Sequence, residues 1–357
     1  MACVEGCPVS AITVTDETDA YNAVIDTSRC IHCDKCVKLC PNNGNLTLQP
    51  PLSWQQGWAK DERVRARASS GGLATALANA FVKTGGVVCS CVFEAGAFSF
   101  GFAETPEEVA RFRGSKYVKS NPNGVYRKIA AYLKNGTKIL FIGLPCQVAG
   151  VKNFIGEKDG LFTVDLICHG SPSPRLLEMF LRESGRVADS AEEIGFRQKD
   201  DWYLSCDGKR VAAPSVMDRY TFAFLNAEIY TENCYSCAYA QEARISDITL
   251  GDSWGSELAR EEQKKGISLI LCQTDKGREL LRQADPVLLD VDKTVAVSFN
   301  KQLQRPSTRT EKREIFFTHL ARSKSFKRSV ARIYPKACLR MAVKTALVRL
   351  GVYRPEK

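Results

Sequence analysis

At 357 residues, with 15 cysteines and a formal charge of +10, the chain has length for roughly two or three domains and a core that needs no cross-links. No apolar run approaches the roughly 18 residues that span a bilayer, and no secretory signal is visible, which speaks against a membrane-spanning protein and a disulfide framework and for metal binding in a reducing cytosol. The charge is uneven: residues 305–357 carry fifteen Lys and Arg against three Glu, and everything before them sums to −2, so the basic character belongs to the tail alone.

Residues 1–48 read as a ferredoxin-like module with six acidic and three basic side chains. Cys30, Cys33, Cys36 and Cys40, with Pro41 next, spell C-x₂-C-x₂-C-x₃-C-P, the bacterial run that wraps a 4Fe–4S cluster. A zinc site would instead pair its cysteines across a longer loop. Cys3 and Cys7, followed by Pro8, match the last two cysteines of a second such run. In two-cluster ferredoxins the fourth Cys of each run ligates the other run's cluster. Cys7 therefore completes a cluster with Cys30, Cys33 and Cys36, whereas Cys3 and Cys40 make an incomplete one. Ala11-Ile12 and Leu46-Thr47-Leu48 keep the repeat around both runs, which favours missing N-terminal residues over a lost cluster.

Residues 49–68 (Gln49-Pro50-Pro51, Trp54, Trp58 and several Arg) read as a linker packed on the next domain. From residue 69 strands alternate with helices. Ser69-Ser70-Gly71-Gly72 leads into an amphipathic helix through about Lys83, with Ser70 its expected N-cap. Residues 86–93 form a buried strand, and Cys89 and Cys91 within it are packing residues on opposite faces. A helix follows at 121–134, a strand at 138–142 ending before Cys146, a strand at 161–167 ending before Cys168, and a helix at 172–184. Short antiparallel strands are expected at 190–213. Further strands lie at 245–250 and 267–272, with a charged helix between. The alternation predicts an α/β core, a mixed sheet with flanking helices, preceded by a small α+β ferredoxin-like module.

Cys146 follows Leu144-Pro145 at a strand-to-helix turn, Cys168 ends a strand beside Gly170, and Cys234 and Cys237 form a C-x₂-C pair. Ligands gather at the carboxyl ends of strands in such a sheet, so these four are candidates for a second 4Fe–4S cluster. A zinc site or a redox dithiol at Cys234 and Cys237 would look similar. Cys206, Cys272 and Cys338 read as structural.

Ser69-Ser70-Gly71-Gly72, Arg113-Gly114-Ser115-Lys116-Tyr117, Gly143-Leu144-Pro145-Cys146-Gln147, Cys168-His169-Gly170-Ser171-Pro172, Cys234-Tyr235-Ser236-Cys237 and Gly251-Asp252-Ser253-Trp254-Gly255 occur in this order. Across about residues 60–300 the chain resembles the coenzyme F420 hydrogenase/dehydrogenase beta-subunit family, fused to the ferredoxin-like module. One departure is Leu144, where that family more often has Thr. The resemblance implies FAD beside a 4Fe–4S cluster on Cys146, Cys168, Cys234 and Cys237. Residues 69–155 would then form the flavin-binding part of the core and 156–304 the part with the second cluster. It also implies flavin contacts from Ser69, Ser70, Gly71, Gly72, Thr75, Lys116 and Asp252, with His169 a weaker candidate for proton transfer. Small residues at a helix start suit a phosphate, and a cation near the flavin favours its reduced form.

The expected activity is that of a ferredoxin-dependent flavin oxidoreductase. It passes electrons between a ferredoxin or other carrier and a small-molecule substrate, coenzyme F420 or a polysaccharide-pathway intermediate. The alternative is a non-catalytic electron-transfer subunit of a hydrogenase or dehydrogenase. The 305–357 tail reads as basic and helical, either packed on the body or touching the inner face of a membrane. Nucleic acid is not an expected partner, since no recognition motif accompanies the charge.

Overall fold

The computed structural model describes residues 1–43, 46–122 and 124–353. Eight strands form one mixed sheet in the spatial order Val287–Asp290, Ser53–Trp58, Ser268–Cys272, Ile248–Asp252, Leu161–Leu166, Ile139–Gly143, Val87–Glu94, Ala97–Ala103. The four strands Ile248–Asp252, Leu161–Leu166, Ile139–Gly143 and Val87–Glu94 run parallel; their outer neighbours are antiparallel. Parallel strands are covered on both faces, which is why these four read as nearly unbroken apolar runs. Helices Leu73–Lys83 and Asp275–Ala284 pack on one face, with Leu77, Phe81 and Leu280 in the core. Helices Tyr126–Lys134 and Pro145–Ile155 pack on the other through Tyr126, Ile129 and Val148. The α/β expectation holds.

Three readings are corrected. Residues 49–68 are not a linker: Ser53–Trp58 is an interior strand between Ser268–Cys272 and Val287–Asp290, and Glu62–Ala66 is a helix capped by Asp61. Its polar centre hid it, because buried Gln56 accepts hydrogen bonds from Ser253 and Ser256 at 2.9 and 2.7 Å. Cys89 and Cys91 share a strand face, as residues two apart must; both border the same apolar cluster. Ser70 is not the cap of Leu73–Lys83. That position belongs to Gly72 at φ +85°, while Ser70 Oγ donates to the Ile267 carbonyl at 2.9 Å.

The strands Ile194–Gln198, Asp201–Cys206 and Lys209–Arg210 make a separate small sheet. It shares a core with Phe180, Tyr220 and Phe224, and with Phe316 and Phe326 of the tail. Cys206, Cys272 and Cys338 are buried among apolar neighbours. The N-terminal module comprises helices Ala2–Gly6 and Lys35–Leu39 and the hairpin of Ile12–Asp16 with Tyr21–Ile25. It is docked rather than tethered. Ala2 and Leu39 are buried in the core cluster around Tyr126 and Val148, Glu5 accepts the Arg127 N–H at 3.0 Å, and Ser173 Oγ donates to both Asp16 carboxylate oxygens. Among the described residues no helix is long and apolar enough to cross a membrane.

Candidate iron–sulfur centre and adjoining cavity

The parallel strands deliver two cysteines from their carboxyl ends. After Ile139–Gly143 the chain turns into helix Pro145–Ile155, with Pro145 in its first turn and Cys146 next. Gln147 fixes that turn: its Oε1 accepts the Leu144 N–H at 2.8 Å, and its Nε2 donates to the Ser120 carbonyl at 3.0 Å. Cys168 lies two residues beyond Leu161–Leu166. Gly170 then lets the loop pass Tyr230, whose ring a Cβ at that position would meet at 2.2 Å. A bridge between Pro172 and Tyr230, and the Thr231 N–H donating to Ser171 at 3.1 Å, bind this loop to the segment before Cys234. The Ser171 N–H reaches the Cys234 sulfur at 3.4 Å. Cys234 sits in the turn Glu232–Ser236, and Cys237 directly follows it.

These four thiols are electrostatic neighbours. Burial pushes Cys146 up to about 11, Lys119 opposes the rise, and Cys237 and Cys234 add to it. Cys168 rises well above the ordinary thiol value through burial first, then through Cys234, Cys146 and Cys237. Buried thiols of this kind ionise when a metal displaces their protons. Among the described residues no three His, Cys, Asp or Glu side chains converge to hold a single metal ion. A cubane makes a looser demand, spreading its ligands over separate iron corners with one thiolate each.

In the N-terminal module, Cys7 Sγ accepts the Ala11 N–H at 3.3 Å, and that bond leads in holding its pKa below the usual thiol value. Backbone donors of this sort stabilise a ligand thiolate. Cys7, Cys36 and Cys3 border one small apolar nucleus. Left-handed residues His32 and Asp34 curl the loop that carries Cys30 and Cys33 and leads into the helix that carries Cys36. Cys3 and Cys40 lie close enough to interact through their charges. Tyr239 stands between the two cysteine sets. Its hydroxyl donates to the Pro41 carbonyl, and its pKa is raised by burial and then by Cys146, Cys237 and Cys40.

Beside Cys168 opens a cavity of about 520 Å³, within the range of cofactor sites. Ser69, Ser70, Gly72, Thr75, Lys116 and Asp252 line it, as do Cys168 and His169. Gly71 stands behind the wall, where a Cβ would press on the Gly57 carbonyl at 2.5 Å. No side chain caps helix Leu73–Lys83, so its positive end and first N–H groups are left for the cavity. Ser69 Oγ accepts the Ser115 N–H at 3.0 Å, joining two motifs 46 residues apart. Lys116 directs its ammonium at the Phe112, Arg113 and Gly114 carbonyls, at 3.0, 3.0 and 3.1 Å, and burial lowers its pKa. Its donors are thus turned to the backbone of its own loop. His169 opens to the cavity, and the surrounding protein lowers its pKa by desolvation, against the pull of Asp252.

Residues 55–125 match the N-terminal part, and residues 136–293 the C-terminal part, of the family described as coenzyme F420 hydrogenase/dehydrogenase, beta subunit. The chain belongs to this beta-subunit family. Residues 1–43 match a 4Fe–4S dicluster domain, so this family member is an iron–sulfur protein of electron transfer. A comparison with curated proteins gave no match. Among solved structures, a chain of the F420-reducing NiFe hydrogenase complex from Methanosarcina barkeri is similar in fold. It is 18% identical with a TM-score of 0.51, over 72% of this chain and 91% of that one.

In this chain, sequence reasoning missed the residue that organises the cavity wall. Arg197, its side chain 4% exposed, donates to both Asp252 oxygens at 2.7 and 2.9 Å, to the Ser69 carbonyl at 2.9 Å and to the Lys199 carbonyl at 2.7 Å. Lys199, which burial pushes down to about 8, donates to the Ser70 carbonyl at 2.9 Å. Arg197-Gln198-Lys199 ends an edge strand of the small sheet and carries no motif. Only the fold brings it to the Ser69–Gly72 turn.

Proposed function

We propose that the chain is an iron–sulfur flavoprotein oxidoreductase. FAD fills the cavity, one 4Fe–4S cluster is held by Cys146, Cys168, Cys234 and Cys237, and another by Cys7, Cys30, Cys33 and Cys36. The observation that carries this reading is the double position of Cys168, which interacts with the other three core cysteines and also forms part of the cavity wall. A bound flavin supplies the junction between one-electron carriers and a two-electron organic reaction. The chain's own groups support that ligand: the uncapped helix end and the Gly72 turn suit a pyrophosphate, and Lys116 adds fixed positive charge. Arg197 holds the Ser69 carbonyl and Asp252 in place. His169 is set to exchange a proton with a substrate in the cavity. A ferredoxin or similar carrier docks on residues 1–48 in the cytoplasm, and the substrate is coenzyme F420 or a polysaccharide-pathway intermediate.

Protein purified without oxygen should carry about eight irons and one FAD per chain. Full iron with no flavin absorbance would overturn the flavoprotein reading. It would favour the second one, an electron-transfer subunit without its own catalysis, which the fold likeness to a chain of a hydrogenase complex supports. Anaerobic reoxidation of the reduced protein against a panel of acceptors that includes F420 identifies the substrate.

A further inference from the structure

The last helix of the tail is not absorbed by the body. The two before it are: Glu311–Ser323 buries Phe316 and Leu320, and Phe326–Ile333 buries Phe326, Val330 and Ile333. Pro335–Arg349 buries Cys338 alone. Leu339, Val343, Leu347 and Leu350 are 66, 51, 37 and 75% exposed. Steps of four, four and three residues put them on one helix face, away from Cys338. Lys336 stands at the N-terminal end of that stripe, and Arg340 and Lys344 run along one side of it. Exposed Val352 and Tyr353 extend it, because their N–H groups fold back to the Leu347 carbonyl at 3.0 and 3.1 Å. Lys344 Nζ lies 5.0 Å over the Tyr353 ring. Residues 315–355 contain no Asp or Glu.

We propose that Pro335–Arg349 is an interfacial anchor that lays the Leu339–Val343–Leu347–Leu350 stripe into the surface of an anionic bilayer, with Lys336, Arg340 and Lys344 among the headgroups. The helix is too short and too charged to span, and an aliphatic stripe edged by cations is the pattern of a helix that lies in the interface. Charge complementarity selects the lipid. A second copy would bring two strongly basic tails together, and a nucleic acid would leave the aliphatic stripe without a partner.

The test is flotation of the full, anaerobically purified chain with vesicles of phosphatidylcholine, with or without added phosphatidylglycerol. Binding to anionic vesicles should exceed that to neutral ones by at least about tenfold and fall as salt rises. Leu339→Gln with Leu347→Gln, and separately Lys336→Gln with Arg340→Gln, should each reduce it by about tenfold. Iron content and thermal midpoint should not change, since all four side chains are exposed. Equal partition onto both vesicle types, or onto neither, would overturn the anchor. So would a concentration-dependent dimer abolished by the Leu substitutions, or retention of RNA that survives them.

Discussion

Replacing Arg197 by Met tests whether one buried ion pair holds the cavity wall. The substitution leaves the Asp252 carboxylate without its two donors and the Ser69 and Lys199 carbonyls without one each. Stranding one member of a buried pair costs about 3–5 kcal/mol. The Asp252 side chain is 21% exposed, so cavity water recovers part of its solvation, and the expected loss is about 2–3 kcal/mol. Asp252→Asn keeps the shape and one acceptor and should cost about 1–2 kcal/mol. The double variant strands neither partner, so it should lose less than the sum of the two, by about 1–2 kcal/mol. Urea unfolding followed by tryptophan fluorescence reads this directly, because the Trp202 and Trp254 rings lie 4.5 and 5.7 Å from the guanidinium. Additivity to within about 0.5 kcal/mol would mean that the two side chains are not coupled and that Arg197 does not hold the wall through Asp252.

Three further outcomes follow from other parts of the site. Cys234→Ala should remove about four irons and leave the N-terminal cluster intact; unchanged iron content would reject the core ligand set. Gly71→Ala should destabilise by about 1–3 kcal/mol and weaken flavin binding, since its Cβ would meet backbone at Gly57 and Ser268, at 2.5 and 2.7 Å, where no side chain can swing aside. Lys199, at about 8 in the fold against 10.5 in an ordinary lysine, leaves the unfolded chain holding the extra proton between those values. The stability of the native protein relative to Lys199→Met should therefore rise with pH across that window, as thermal melts at several pH values would show. A flat difference would mean that the ammonium is not desolvated.

What the sequence made legible was chemistry written at fixed spacing. The run from Cys30 to Cys40 is local, and so are the strand ends at Cys146 and Cys168, each read from an apolar run that stops at a turn. Convergence was not local. The Cys168 loop is brought to the Cys234 segment because a loop that needs Gly170 pairs with the residues around Tyr230, and no spacing encodes that bridge. Burial of polar groups was equally silent: Gln56 disguised an interior strand as a linker, and Arg197 looks like any surface arginine until Asp252 and the Ser69 carbonyl surround it. The tail was legible in charge but not in division, because apolar residues recur in all three helices and only packing tells which stripes find a partner.

The position of Tyr239 gives the two cysteine sets a direction. Its hydroxyl holds Pro41, the residue after Cys40, while its surroundings include Cys146 and Cys237. Cys40 and its neighbour Cys3 thus belong to the side of the N-terminal module that is pressed on helix Pro145–Ile155, where Ala2 and Leu39 are buried in the body's own core. Cys33 is exposed. The module therefore turns Cys33 toward solvent and its Cys3–Cys40 side toward the core cysteines. Burial of Ala2 and Leu39 in the body's own core ties the module to it on that side.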